Sequence, residues 1–450
     1  MPASVSSALL TDMYELTMVD AALRSGMADT PVVFEIFGRK LPATRRFGVV
    51  AGTGRALEAL DHFKFSPTQI DWLRSEKIVS DIALEFLREY RFSGTIHGYA
   101  EGECYFEGSP LLTVEGTFAE CTLLETMLLS VLNYDCAIAS AAARITMAAH
   151  GRPCADMGAR RTNEHSAVAA ARAAYIGGFA STSNLEAGMR YGIKTIGTSA
   201  HAFTLVHDSE EDAFRSQVAS LGAGTTLLAD TFDIPRAVEL AVRVARESGS
   251  ELGAIRLDSG DLLAHAFKVR GQLDELGAKD TKITVTNDLD EYAIAALGAA
   301  PVDSYGVGTK LVTGSGVPTA ALVYKLVAKG KDGKMVPVAK ESEAKSTIGG
   351  MKVAGRLFDE QGRASEEVLV VADSWEEGTR ALQEAGARPL QLPLVEQGKI
   401  LEPLWEPQYT ERARSHHLAV REELPYPGWR LSAGEPAIPT GYYRAGKRIG

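Results

Sequence analysis

The chain has 450 residues, 45% of them hydrophobic and 23% charged, with a formal net charge of -11. That length and composition fit a soluble globular protein of two or three domains with a large core. The acidic balance provides no global basic field for gathering phosphate backbones, so nucleic acid is not an expected partner, although a basic pocket on an acidic protein is still allowed.

Cys104, Cys121, Cys136 and Cys154 form no CxxC pair and are too few for a disulfide framework, which predicts reduced, buried thiols. Residues 1–10 lack the basic cluster and long apolar run of a signal peptide, and the most apolar later stretch, 136–150, is interrupted by Arg144. The expectation is a cytoplasmic protein with no membrane span.

In chain order, a capped helix is expected to begin at Thr11 or Asp12, followed by apolar strands at 32–37 and 47–51. Ser66 and Pro67 read as an N-cap with proline at the first helical position, and 81–90 turns Ile82, Leu84, Phe86 and Leu87 toward a core. A β-rich stretch covers 95–114. From 119 to 149 apolar residues recur at helical spacing, with a break expected at Asn133, Tyr134 and Asp135.

The centre is more regular. Strand-like runs at 154–157, 179–182, 194–196, 226–228, 254–257, 282–285 and 304–307 alternate with helix-like segments at 166–175, 210–220, 235–247, 261–276 and 288–297. This alternation predicts parallel strands joined by right-handed crossovers, in number enough to close a barrel; an open doubly wound sheet is the competing arrangement. The barrel is favoured because polar residues follow nearly every strand: Arg160 and Arg161, Ser183, Thr198 and His201, Asp230, Asp258, Asn287, then Thr309. In a barrel they meet at the rim formed by the carboxyl ends of the strands. Beyond Thr319, the runs 322–328 and 335–339 around a turn at 330–334 read as a hairpin. The expected organisation is a barrel over 139–319 inserted into a discontinuous α+β domain built from 1–138 and 320–450. The last forty residues show no clear period and are expected to wrap the surface or a partner subunit.

Four clusters carry chemistry. IRLDSGD at 255–261 ends an apolar strand in a cation, two carboxylates and a glycine that lets a ligand approach the backbone. Arg256 can hold a carboxylate or phosphate in fork geometry, and Asp258 can accept from ribose hydroxyls or hold a magnesium ion. The bland alternative has Asp261 capping the next helix and Arg256 pairing with Asp258. YGVGTK at 305–310 runs a strand into Gly306, Gly308 and Thr309, a nest of backbone donors for phosphate or simply a tight turn. GTSAHAF at 197–203 places Thr198 and His201 directly after a strand, where an imidazole can shuttle protons, take a phosphoryl group or cap a helix. Finally, Tyr14 in TDMYELTM can stack on a flat ring, and Arg160 with Arg161 can hold pyrophosphate; a helix buried by Met13, Leu16 and Val19 and a solvated basic pair are the plainer accounts.

The segments LLTDMYELTM, FEIFGRKLP, LLETMLLSVLN, GARR, GTSAHAF, IRLDSGDL and YGVGTKL follow one another in the order found in nicotinate phosphoribosyltransferases, and the chain resembles that family from about Leu9 to Lys352. The resemblance implies a type II phosphoribosyltransferase fold, an irregular α/β barrel beside a split α/β sandwich domain, in a homodimer whose active sites are shared between subunits. It implies that Tyr14 stacks on nicotinate, that Thr198 and Arg256 contact it, and that His201 is a phosphohistidine. By the same resemblance Asp258 is a catalytic acidic group near the ribose, while Arg161, Gly308 and Thr309 lie on the phosphate and pyrophosphate side. The implied small molecules are nicotinate, phosphoribosyl pyrophosphate and ATP as co-substrate, with Mg2+ and with no zinc or organic prosthetic group; no metal ligand is assigned.

Two features depart from the family pattern. Residues 340–352 read KESEAKSTIGGMK, with Gly349 where relatives often carry proline, and the carboxyl end lacks the cysteine cluster of some relatives. The rival readings are weighed on single residues. Nicotinamide-using relatives carry an acid aligned with Ser183, and a serine there avoids repelling a carboxylate, which favours nicotinate. A quinolinate enzyme would need extra cations, and a non-catalytic barrel would be expected to lack His201, Arg256 or Asp258. A Schiff-base aldolase would want a strand-end lysine, for which Lys310 is the only candidate, and the two glycines before it fit phosphate better.

Overall fold

A computed structural model describes residues 6–340 and 348–449; most of the KESEAKSTIGGMK segment, 341–347, lies outside the described residues, as do 1–5 at the amino terminus. The chain divides into two compact units, one made of Met1–Ser140 with Val317–Gly450 and the other of Ala141–Gly316.

In the first unit, strand Pro31–Gly38 is sandwiched between Leu322–Lys331 and Leu112–Thr117 in a seven-stranded sheet whose ladders are antiparallel. All of its residues except Pro31 are buried, so it reads as a continuous apolar run and not as an alternating one. The one charge in that run, Glu35, is matched by Lys352, whose Nζ donates to it at 2.8 Å and whose backbone N donates at 2.7 Å. The hairpin expected after Thr319 is present, and its turn residues Asp332 and Gly333 both have positive φ, the conformation that a two-residue turn between twisted strands requires.

The expected break at Asn133, Tyr134 and Asp135 does not occur: helix Glu125–Ala148 runs through it for 24 residues. The polar side chains that look like a break are satisfied by tertiary partners. The side-chain oxygen of Asn133 accepts from Leu322 N at 2.7 Å, and Asp135 accepts from Arg55 at 2.6 Å. This helix is long and apolar enough to cross a membrane by composition, but 67% of its apolar window is buried inside the protein, as in a core helix.

The last forty residues are more regular than expected. They contribute most of helix Pro407–Val420, and strand Thr440–Arg444 pairs in parallel with Ala364–Ala372 inside a five-stranded sheet, while much of 421–449 lies at the surface. Beneath it lies a buried charge network in which Arg356 reaches Glu103 at 2.6 Å and Glu367 at 2.7 Å. The four cysteines are free and buried, as expected.

In the second unit, six parallel strands stand in the order Ser181–Thr182, Cys154–Asp156, Ser304–Val307, Lys282–Val285, Ala254–Leu257, Thr226–Leu228. Helices connect them, and several start as the sequence dictates: Asp233 and Asp261 cap helices Ile234–Glu247 and Leu262–Glu275 by accepting from the backbone three residues on. The fold is the expected α/β class, an irregular barrel whose hydrogen-bonded sheet is a curled run of six strands. The strand expected at 194–196 shrinks to a single bridge between Thr195 and Thr182. Residues 194–200 are mostly exposed, so nothing packs that segment into a full ladder.

Candidate active site

The register of the parallel strands decides which strand ends become neighbours. Thr226–Leu228 lies beside Ala254–Leu257, which lies beside Lys282–Val285, so the residues just past each strand meet. Asp230 Oδ2 accepts from Asp258 N at 3.0 Å and from the Ser259 hydroxyl at 2.5 Å. Thr286 is placed between the two functional groups of the IRLDSGD segment: its hydroxyl accepts from Arg256 Nε at 3.1 Å and donates to Asp258. Arg256 also pairs directly with Asp258 at 3.2 Å, both side chains being largely buried. The plainer account of this motif is therefore correct as geometry, since Asp261 caps the next helix and Arg256 bonds Asp258. It also leaves a pre-oriented guanidinium and carboxylate at the strand ends.

His201 begins the short helix His201–Val206, and its Nδ1 lies 3.0 Å from the hydroxyl of Thr231. Thr231 follows Asp230 in the chain, so an unbroken run of bonds leads from His201 through Thr231 and Asp230 to Asp258, Thr286 and Arg256. His207, by contrast, turns its Nδ1 onto Phe203 O at 2.7 Å and closes its own helix.

On the other side of the sheet, Asp156 organises the ends of Cys154–Asp156 and Ser181–Thr182. It is buried, it accepts from Gly158 N at 2.8 Å and from the Thr182 hydroxyl at 2.7 Å, and burial raises its pKa against the pull of those two bonds. Ser183 is carried directly after Thr182 and donates its backbone N–H to Asp156 O at 2.8 Å. Arg160 and Arg161 sit exposed in a 3-10 turn, and neither meets a carboxylate among the described residues. Gly306, one residue short of the strand end, is required by close packing: a Cβ there would lie 2.5 Å from Thr286 Cγ2 and 2.6 Å from Met157 Sδ. Gly308 and Thr309 open helix Thr309–Val312, and Thr198 is exposed in the loop before His201.

The second unit thus brings Arg256, Asp258 and His201 into one bonded chain and sets Arg161, Ser183, Gly308 and Thr309 beyond the carboxyl ends of their strands, with Thr198 in the exposed loop after the bridge at Thr195. Tyr14 belongs to the first unit, on helix Met13–Ser25, where it is 43% exposed. Its pKa is raised by burial and by the nearby carboxylate of Glu125. Sequence reasoning assigned no role to Thr231, Thr286 or Asp156. The available signal was position alone, since each stands at or just past a strand end.

Near the strand ends, Asp230 offers a carboxylate oxygen that a cation could take up. Asp230 Oδ1 is buried and has no hydrogen-bond partner among the described residues, and Asp258 is bonded to the same residue. Among the described residues no group of three or more His, Cys, Asp or Glu forms a cage. One or two carboxylates are what Mg2+ uses when substrate phosphates and water complete its shell, so this pair suits it better than a self-sufficient metal site would.

An α/β barrel with a histidine, an arginine–carboxylate pair and unpaired arginines at its strand ends defines the molecule as a barrel enzyme with its chemistry on the rim. A family model described as nicotinate phosphoribosyltransferase N-terminal domain matches residues 9–133, and one described as the nicotinate phosphoribosyltransferase family matches 153–362. The chain is 52% identical over 442 residues to nicotinate phosphoribosyltransferase pncB1 of Mycobacterium tuberculosis, covering 96% of this chain and 94% of that one. It is 39% identical to the nicotinate phosphoribosyltransferase of Bacillus subtilis, covering 80% and 75%. The crystal structure of human nicotinic acid phosphoribosyltransferase aligns with a TM-score of 0.80 at 25% identity, over 95% of this chain and 96% of that one. The chain belongs to the nicotinate phosphoribosyltransferase family and is an enzyme of that type, acting in NAD salvage.

Proposed function

We propose that the enzyme joins nicotinate to phosphoribosyl pyrophosphate, releasing nicotinate mononucleotide and pyrophosphate, and couples the step to ATP hydrolysis through a phosphorylated His201. The observation that supports the coupling is the bond between His201 Nδ1 and Thr231. In the tautomer that donates from Nδ1, Nε2 carries the lone pair and makes no hydrogen bond among the described residues. Attack by Nε2 on the terminal phosphorus of ATP forms the N–P bond as the P–O bond to ADP breaks; water later cleaves the N–P bond.

Transfer at the anomeric carbon builds positive charge on the sugar, and positioning with charge stabilisation carries the rate. Arg256, oriented by Thr286 and Asp258, holds the nicotinate carboxylate together with Thr198. Tyr14 stacks on the pyridine ring, and Ser183 leaves that side of the site uncharged. Asp258 faces the ribose. Arg161, Gly308 and Thr309 receive phosphate and pyrophosphate oxygens, and Mg2+, held by Asp230 and Asp258, would neutralise part of the leaving pyrophosphate's charge. The proposal assigns catalysis to 139–319 and the remaining residues, 1–138 and 320–450, to the second domain. It includes a cytoplasmic homodimer with shared sites that binds small molecules and neither nucleic acid nor membrane.

The test is product formation by purified protein with and without ATP, beside a parallel assay on nicotinamide. The expected result is nicotinate mononucleotide, enhanced by ATP. His201→Ala should abolish ATP hydrolysis and the phosphoenzyme while leaving slow transfer at high phosphoribosyl pyrophosphate; an ATPase unaffected by this change would overturn the phosphohistidine. Product from nicotinamide instead would overturn the role given to Ser183.

A further inference from the structure

The first unit carries a cleft of about 460 Å³ that contains none of the residues assigned to the reaction. Its walls include Lys64, Arg91 and Lys399, the apolar rings of Phe92 and Trp405, and one carboxylate, Asp61. The protein is acidic overall, yet three cations gather here around a single acid. None of the three has a carboxylate within ion-pair distance among the described residues, and Arg91 bonds only the carbonyl of its neighbour Tyr90. Cations left unpaired around a concave surface repel one another and focus a positive potential into it, an arrangement that an anion relieves.

The walls are preset. Gly398, at φ +75°, lets the turn that carries Lys399 sit directly on the backbone of Phe92: a Cβ there would lie 2.4 Å from Phe92 O. Its N–H donates to Gly94 O at 2.8 Å. On the opposite side Phe63, also lining the cleft, is buried in an edge-to-face cluster with Phe65 and Tyr90, so the segment bearing Lys64 is anchored as well. The volume lies in the range of small-molecule clefts.

We propose that this cleft is a second ligand site, taking a nucleoside monophosphate. Three cations less one carboxylate leave a local charge of +2 (3 − 1 = 2), which matches the charge of about −2 on a phosphate monoester. The phosphate is received by Lys64, Arg91 and Lys399, and the flat base packs against Phe92 and Trp405.

The test titrates AMP into the full-length enzyme by equilibrium dialysis, with inorganic phosphate and adenosine as the two half-ligands. The proposal expects AMP to bind at least about tenfold more tightly than either half. The triple variant Lys64→Ser, Arg91→Ser, Lys399→Ser should weaken AMP at least about tenfold while its kcat and KM for nicotinate stay within about twofold of wild type. These side chains are exposed, so the fold is not at stake, and Trp405→Leu provides the matching loss on the base side. AMP affinity unchanged in the triple variant would place any binding elsewhere and overturn the site. Phosphate binding as tightly as AMP, or no AMP bound at about 1 mM, would overturn it too.

Discussion

The carboxylate of Glu15 accepts the backbone N–H of Thr126 at 2.9 Å, and so one helix's buried acid caps the first turn of another, joining Met13–Ser25 to Glu125–Ala148. The hydroxyls of Thr126 and Thr11 add two further bonds to the same carboxylate. Tyr14 and the neighbouring Glu125 carboxylate sit in these same two turns. Glu15→Ala strands a buried N–H and should cost about 1–3 kcal/mol in urea unfolding. On the proposed stacking of Tyr14 against the ring, it should also raise KM for nicotinate, because that side chain loses its mount. Glu15→Gln still offers an oxygen to Thr126 and should retain most of both properties.

Thr286 connects Arg256 to Asp258 through one oxygen. Thr286→Val keeps the shape and removes both bonds. Steady-state kinetics should give a fall of about ten- to a hundredfold in kcat/KM for nicotinate with a change of only about 1 kcal/mol in stability, and Thr286→Ser should restore activity.

Two glycine substitutions should have opposite signs. A Cβ at Gly306 would press on Thr286 and Met157, so Gly306→Ala is expected to cost about 1–3 kcal/mol and to disturb the arginine–carboxylate pair. Gly271, in helix Leu262–Glu275, has open space around it, and Gly271→Ala should stabilise by about 0.5–1 kcal/mol. Thermal unfolding of both variants, with nicotinate turnover on the first, checks the pair.

His417 should make the fold acid-sensitive. It is fully buried, donates to Gly102 O at 3.0 Å, and burial lowers its pKa from 6.5 to about 4, with Arg421 and His416 adding to the shift and Glu103 opposing it. Burial alone would raise Glu103, but Arg356, His416 and Arg388 outweigh it and hold that acid well below the usual carboxylate range, so it stays ionised throughout this window. Because the folded state keeps His417 neutral, its contribution is full above the unfolded pKa. It is lost as pH falls from 6.5 through about 4, amounting to about 3 kcal/mol at most. Urea unfolding across that range should show the slope, and His417→Gln should flatten it.

Much of this was legible in the sequence because it is periodic. Alternation of strand and helix gave the parallel sheet, and the polar residues in and after the expected strands pointed to Arg256, Asp258 and His201. What could not be read depends on partners distant in the chain. Asn133 and Asp135 look like a helix break until Leu322 and Arg55 are brought to them. Helix Pro407–Val420 buries Thr410 and His417 along with Ala413 and Val420, so its inner face carries no apolar stripe to recognise. The roles of Thr231 and Thr286 arise only from strand register, since a threonine after a strand is otherwise unremarked.

The pairing of Pro31–Gly38 with Leu322–Lys331 spans the entire intervening unit, Ala141–Gly316. During synthesis the amino-terminal strand therefore emerges long before its neighbour exists, and one of its edges must wait uncovered while the barrel segment is made. The strands of the second unit all pair within one contiguous stretch of sequence, so that sheet can form first. The topology therefore allows the middle of the chain to be finished before its beginning gains its second neighbour.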